Sequence, residues 1–241
     1  MTDNILQFKP KSNLKSGLNG NILKLIALVT MTVDHIGYYI FPYTLGFRII
    51  GRIAFPIFAY MIAEGCRYTH NRKKYLLTVF GVGAVCQIFT FIFEKSLYCN
   101  IMISFTLAIL MTFALQNARS KKNFTSRAVF IVIVISVFFL SEILPRLLPR
   151  TDLHFDYGFT GMLIPVALSQ INPRPFKLIA EGILLIITAL QIGKFQFFAL
   201  LGLIPLALYN GKRGKRNIKY LFYAYYPLHI AVIYLIARIV R

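Results

Sequence analysis

The sequence has no tryptophan, only three cysteines and only eight acidic residues in 241. Without tryptophan, any aromatic belt at a membrane interface must be made of tyrosine and phenylalanine. The three cysteines, Cys66, Cys86 and Cys99, show no CxxC spacing. That excludes a recognisable zinc motif or disulfide framework and leaves inert, buried thiols as the expectation. No metal is expected. Charged residues make up 15% of the chain and apolar residues 57%, against about 25% and about 45–50% in a soluble domain. These shortages argue against a soluble enzyme, a disordered tail and a disulfide scaffold.

The charge that is present is almost all of one sign. Lys and Arg number 27 and the formal net charge is +19. On a soluble protein this would suggest nucleic acid. Here the cations sit in short loops between apolar runs, which is the signature of membrane topology, so no nucleic-acid partner is expected.

The apolar runs predict helices at about 21–41, 47–65, 75–93, 101–117, 128–148, 157–171, 176–192, 195–210 and 219–239. This is an all-α integral membrane bundle of about nine transmembrane helices. The runs at 157–171 and 195–210 are the weakest and could be half-spans. Residues 1–20 read as a cytoplasmic tail rather than a signal peptide, because Asp34 and His35 interrupt the following run and no cleavage site follows it. Residues 21–241 read as one transmembrane domain. With the N-terminus inside, eighteen cations fall in inner segments and six in outer ones. That bias supports an N-in, C-out arrangement, and membrane lipid is an expected partner.

Ionisable residues within spans are costly and need a partner or a function. Asp34 and His35 lie about 20 Å along the first helix, and Glu142 lies at a similar height along its own. Arg48 and Arg52 open the second helix on one face, spaced i, i+4. Thr106 descends to the same level, His229 lies near the midplane, and Asn100 and Asp156 border the outer face. An ion-pair network, with Asp34 on Arg48 or Arg52, accounts for part of this layer. The two histidines are not needed for neutralisation, so the whole set is read as a site. Pro56 and Pro227 cannot donate to the carbonyls one turn before them, which places backbone acceptors near Arg52 and in the last helix. The cation-rich segments 67–74 and 211–219 fit topology alone, or an anionic headgroup or phosphate-bearing ligand.

Several segments resemble the TraX family, membrane proteins named for a conjugal-transfer protein that N-acetylates pilin. They are LKLIALVTMTVDHIG (23–37), FRIIGRIAFPIFAYMIAEG (47–65), NRKKYLLTVF (71–80), FTLAIL (105–110), FDYGFTG (155–161), ALYNGKRGKR (207–216) and YLFYAYYPLHIAVIYLI (220–236). They run in order over nearly the whole chain. The family is more distantly similar to the broad membrane acyltransferases, which carry a histidine late in the first span, as His35 here. A late tyrosine–histidine pair resembles Tyr226 and His229.

The resemblance implies an acyltransferase of the bacterial cytoplasmic membrane with acetyl-CoA as donor. The acceptor would be an amine or hydroxyl on a peptide or glycan at the outer side. His35 would be the general base and His229 a second acid–base group. Asp34 would hold an arginine rather than orient His35, because helix neighbours diverge by about 100°. Arg52 or Asn100 would stabilise the oxyanion. Arg48, Asn100, Thr106, Glu142, Asp156 and Tyr226 would contact the acceptor. Arg72, Lys73, Lys74, Lys212 and Arg213 would bind the coenzyme A phosphates. The alternatives are a proton-coupled transporter, since buried acids and histidines also form proton relays, and a non-catalytic envelope assembly partner whose charges pair helices.

Overall fold

The computed structural model describes residues 17–214 and 219–240. Most of the tail expected at 1–20, with Lys9, Lys11 and Lys15, lies outside the described residues, as do Lys215 and Arg216. Among the described residues there is no strand, only two isolated backbone bridges. The helices are α1 (Gly20–Tyr39), α2 (Leu45–Gly51), α3 (Ala54–Tyr68), α4 (Arg72–Glu94), α5 (Ile101–Lys121) and α6 (Phe124–Phe138). A π-turn (Phe139–Ile143) joins α6 to α7 (Leu144–Leu147); α8 (Gly158–Gln170) and α9 (Arg174–Ile192) follow. A 3₁₀ stretch (Lys194–Gly202), α10 (Leu203–Ala207) and α11 (Lys219–Val240) complete the chain.

Local chemistry sets the helix starts. Asn19, Asn71, Asn100 and Asn123 each sit just before a helix with extended backbone and accept hydrogen bonds from first-turn N–H groups. These bonds satisfy donors that otherwise have no partner within the helix.

Among the described residues, seven helical segments are long and apolar enough to cross a membrane. One of them is α2 with α3, broken at Arg52–Ile53, and another is α6 through α7. The predicted spans at 157–171 and 195–210 are shorter. The 13 residues of α8 cover only about 20 Å of a hydrocarbon core about 30 Å thick. The up–down alternation nevertheless survives. Arg67 donates to the Ile171 carbonyl and Asn172, and Arg174 to the Leu206 and Ala207 carbonyls, at the end where α4 begins. Leu18 pairs with Leu208 at this same end. At the opposite end Tyr39 meets Glu94, Leu97 meets Asp152 and Thr160 meets Gln191. The connection before α8 folds inward to meet Cys99, which shortens the path α8 must cover. The 3₁₀ stretch rises about 2.0 Å per residue and so gains length for the other short segment.

The core lies around α3, where every residue from Ala54 to Tyr60 is buried. α1 crosses α2 very closely. A Cβ on Gly37 would come within 2.5 Å of Phe47, and one on Gly51 within 2.2 Å of the Asp34 side chain. Small residues at such crossings let membrane helices approach. This contact lays the arginines of α2 against the acid of α1. The outer surface is apolar, with Val29, Val132, Leu190 and Leu235 all exposed, as a lipid-facing bundle requires.

Candidate functional site

A cavity of about 890 Å³ opens at the end of the bundle opposite the start of α4. Its wall includes Asp34, His35, Arg48, Arg52, Asn100, Glu142, Asp156 and Tyr226 from the predicted set. His229 stands behind His35.

The two imidazoles come from α1 and α11. His35 Nδ1 lies 2.9 Å from the Met31 carbonyl and His229 Nδ1 lies 3.0 Å from that of Tyr225. A carbonyl only accepts, so each neutral ring carries its proton on Nδ1 and its lone pair on Nε2. His229 Nε2 is 3.5 Å from His35 Nδ1 and so shares that proton with Met31. The rings meet edge-to-face with centroids 4.9 Å apart. This leaves His35 Nε2 without a hydrogen-bond partner among the described residues, on a ring that lines the cavity. Tyr225 stacks on His229 at 5.2 Å, and its hydroxyl donates to Thr32, 2.7 Å away. The hydroxyl of Thr32 is already committed to the Leu28 carbonyl. Both rings are thus held in a fixed tautomer and orientation.

Asp34 takes no part in orienting His35. Its carboxylate accepts from Arg48 at 2.8 Å and from Arg52 at 3.0 and 3.2 Å. Both arginines engage the one acid. Arg52 is 9% exposed and also donates to the Tyr157 hydroxyl at 3.4 Å. Tyr157 has a left-handed backbone, φ +61°, and its ring stacks on Phe55 at 3.5 Å between centroids. A non-glycine residue in that conformation is strained, and such strain concentrates at functional sites.

The other predicted residues divide. Asn100 is occupied structurally: its amide nitrogen donates to the Gly83 carbonyl at 2.9 Å and its oxygen caps Met102. Glu142 accepts from the Phe159 N–H at 2.8 Å and faces Arg146 at 3.8 Å. Thr106 does not line the cavity; its hydroxyl closes on the Met102 carbonyl. Height along a helix does not fix direction around it, and Thr106 lies about 140° round α5 from the cavity-lining Ile101. Arg72, Lys73, Lys74, Lys212 and Arg213 lie at the other end. Arg72 covers the Phe113 ring at 5.4 Å, and Lys73 and Lys74 border a shallow depression of about 370 Å³. Packed Leu23, Ala27 and Ile57 lie in the core between the two ends.

Asp156 sits in the connection outside the spans. Burial pushes its carboxyl up to about 6, against the hydrogen bond from Tyr98 at 2.8 Å and the nearby Arg52. This native value lies above the ordinary 3.8, so the folded chain binds more protons than the unfolded chain between them. Stability therefore falls as pH rises from about 4 to about 6. In thermal unfolding scans across that window, Asp156→Asn is expected to lose this part of the slope. A slope identical to that of the parent protein would contradict the assignment.

Sequence reasoning missed Tyr157, although the FDYG segment contains it, because nothing local announces its left-handed backbone. It also missed a second buried polar group. Lys177 pairs with Glu64, with their side chains 4% and 16% exposed. Glu181, one turn along α9, is fully buried with neither carboxyl oxygen partnered among the described residues.

The sequence matches the family model described as TraX, TraX protein, over residues 19–237. It is 36% identical over 99 residues to the uncharacterized protein RP591 of Rickettsia prowazekii (strain Madrid E). That alignment covers 41% of this chain and 38% of that protein, well under two thirds of its length. It is 24% identical over 242 residues to the probable fimbrial assembly protein FimC, serogroup H1, of Dichelobacter nodosus, covering 88% of this chain and 92% of that protein. No solved structure matches.

Proposed function

The chain belongs to the TraX family, and on that premise we propose that it is an integral membrane acyltransferase that moves an acetyl group from acetyl-CoA to an amine admitted to the cavity. One observation carries the reading. His35 Nε2 is a base at a cavity wall with no hydrogen-bond partner among the described residues, in a tautomer held by Met31 and backed by His229. A hydroxyl acceptor would use the same base. The fimbrial-assembly name of the Dichelobacter relative favours a peptide amine.

In the reaction the acceptor nitrogen attacks the thioester carbonyl and a new C–N bond forms. The proton leaving nitrogen passes to His35 Nε2. The carbonyl oxygen gains negative charge and takes hydrogen bonds from Arg52 and from the Tyr157 hydroxyl, whose proton is not used by Arg52. The C–S bond then breaks, and the leaving sulfur receives the proton from the His35 imidazolium. The products are an amide and the coenzyme A thiol. Asp34 keeps both guanidiniums in place. His229 shares the Nδ1 proton and steadies the positive ring.

The coenzyme A phosphates are assigned to the cationic end, where Lys73 and Lys74 border one depression and Lys212 and Arg213 flank the start of α1. Donor and acceptor would then approach from opposite sides of the bilayer, with the cationic end in the cytoplasm, and the thioester would reach His35 only when the helices part around the packed Leu23, Ala27 and Ile57. Saturable acetyl-CoA binding to the purified protein in nanodiscs tests this. Binding is expected to weaken in Lys73→Glu combined with Arg213→Glu. Binding unchanged by that pair would remove the phosphates from this end.

Tyr157→Phe keeps the ring stacked on Phe55 and removes one oxyanion donor. Turnover is expected to fall about 10²-fold with unfolding temperature unchanged. Turnover equal to that of the parent protein would exclude the role.

A second reading, a proton-coupled carrier, is favoured by the Glu64–Lys177–Glu181 group. A carrier would move its substrate unmodified, so appearance of the acetylated product distinguishes the two.

A further inference from the structure

The reaction derived above starts from a neutral amine, but an aliphatic amine in water near pH 7 is almost wholly an ammonium ion. It must lose one proton before its nitrogen can attack, and a second as the amide forms. His35 handles only the second. It takes that proton and returns it to sulfur, so its ring ends the cycle neutral. The first proton needs another base on the way to His35.

Four of the eight acids in the chain line the cavity, and three of them are already engaged. Asp34 holds Arg48 and Arg52. Glu142 faces Arg146 and accepts from the Phe159 N–H. Asp156 accepts from Tyr98 and lies near Arg52. The fourth is Glu94, the last residue of α4. It is half-buried and makes no ion pair among the described residues. One of its oxygens accepts from the Tyr39 hydroxyl. Tyr39 stands one turn outward from His35 on α1, and the two rings stack with centroids 6.3 Å and planes 19° apart. An amine entering from the outer end therefore meets Glu94 before it meets His35.

The groups around this carboxylate leave it uncompensated. Tyr38 and Tyr39 come from α1, and Tyr234 of α11 packs edge-on against Tyr39 at 6.0 Å. The Arg238 guanidinium is spent on the Tyr234 hydroxyl, and Lys95 turns away into a left-handed backbone, φ +56°. A cation that fits here is one that a ligand brings.

We propose that Glu94 captures the acceptor as its ammonium ion and takes the first proton. An ammonium N–H bond breaks, the proton goes to a Glu94 carboxylate oxygen, and the nitrogen keeps the electron pair. Glu94 then gives the proton to the outer solution, and the neutral amine moves on to His35. Each turnover yields one amide, one thiol and one proton at the outer face. The proton step rests on the acyltransferase reading with an amine acceptor, because a hydroxyl has no first proton to lose; capture of an ammonium ion does not.

Glu94→Gln isolates the effect, since its side-chain carbonyl can still accept from Tyr39 and only charge and basicity are lost. Parent and variant in nanodiscs are given acetyl-CoA with propylamine, which is protonated at neutral pH, or with trifluoroethylamine, which is largely neutral there. Binding of propylamine alone is followed by calorimetry. In the variant, the ratio of kcat/KM for propylamine to that for trifluoroethylamine is expected to fall about ten- to a hundredfold, the range of a hydrogen bond to a charged group. Propylamine binding is expected to weaken alike. The deficit is expected to shrink at about pH 9, where about a hundredfold more propylamine is neutral than at about pH 7. An unchanged ratio with both rates lowered would overturn the proposal and leave Glu94 as a clasp between α1 and α4. An unchanged ratio with both rates kept would overturn it and leave the acyltransferase standing. Propylamine binding that depends on Glu94, with neither amine acetylated by the parent protein, would support capture and overturn the acyltransferase. Neither binding nor acetylation by the folded parent would overturn both.

Discussion

His35→Ala is expected to lower acetyl transfer by about 10²–10⁴-fold, the range a positioned general base contributes. The fold should tolerate the change. His35 is partly exposed to the cavity, and neither of its hydrogen bonds joins two helices except the long one to His229 at 3.5 Å. The unfolding temperature should therefore move little while turnover collapses. The acetyl-CoA concentration needed for half-saturation should stay the same, because no step of donor binding uses the ring. His229→Leu is a graded companion. It removes one of the two acceptors of the His35 Nδ1 proton but leaves the Met31 carbonyl in place, so turnover is expected to drop less than in His35→Ala. Equal activity of His35→Ala and the parent protein would remove the base from the mechanism.

The second large effect is on stability. Asp34 is the shared partner of Arg48 and Arg52. Removing one member of a buried ion pair strands the other charge and costs about 3–5 kcal/mol. The side chains of Arg52 and Asp34 are 11% and 16% exposed, so partial hydration places Asp34→Ala near about 3 kcal/mol. The loss should persist in high salt, because a largely buried pair is poorly screened. Arg48→Ala should cost about 1 kcal/mol or less, since Arg48 is 31% exposed and Asp34 keeps Arg52. Asp34→Glu should not rescue the fold fully. The aspartate side chain lies where a Cβ on Gly51 would stand at 2.2 Å, so an added methylene has no room between α1 and α2. Thermal unfolding in nanodiscs at low and high salt reads all three variants. An Asp34→Ala protein as stable as the parent would show that the clasp contributes nothing.

Much of this architecture is legible in the sequence because the bilayer constrains it. The apolar runs gave α1, α4, α5 and α11 to within four residues at each end. The cation bias gave an alternation that the end-to-end contacts preserve. What the runs could not give was length in irregular conformations. The break at Arg52–Ile53, the inward fold before α8 and the 3₁₀ stretch all depend on contacts between distant segments. The site was legible by depth: Asp34, His35, Arg48, Arg52 and Glu142 were all placed in one layer, and they line one cavity. Direction around the helix was not, and Thr106 was assigned to the cavity for that reason. Tyr157 required the left-handed backbone, which is visible only in three dimensions. The Glu64–Lys177 pair joins positions 113 residues apart. Each charge reads as a flank of its own span, so no local pattern pairs them.

The account rests on chemistry at His35. The most direct test incubates the purified protein in nanodiscs with acetyl-CoA and a peptide bearing a free amino terminus. Free thiol and acetylated peptide are then measured together. The account predicts that both appear in equal amounts, and that both fall by about 10²–10⁴-fold in His35→Ala while its unfolding temperature moves little. Thiol and product formed at the same rate by parent and variant would contradict it, as would a folded parent protein that yields neither.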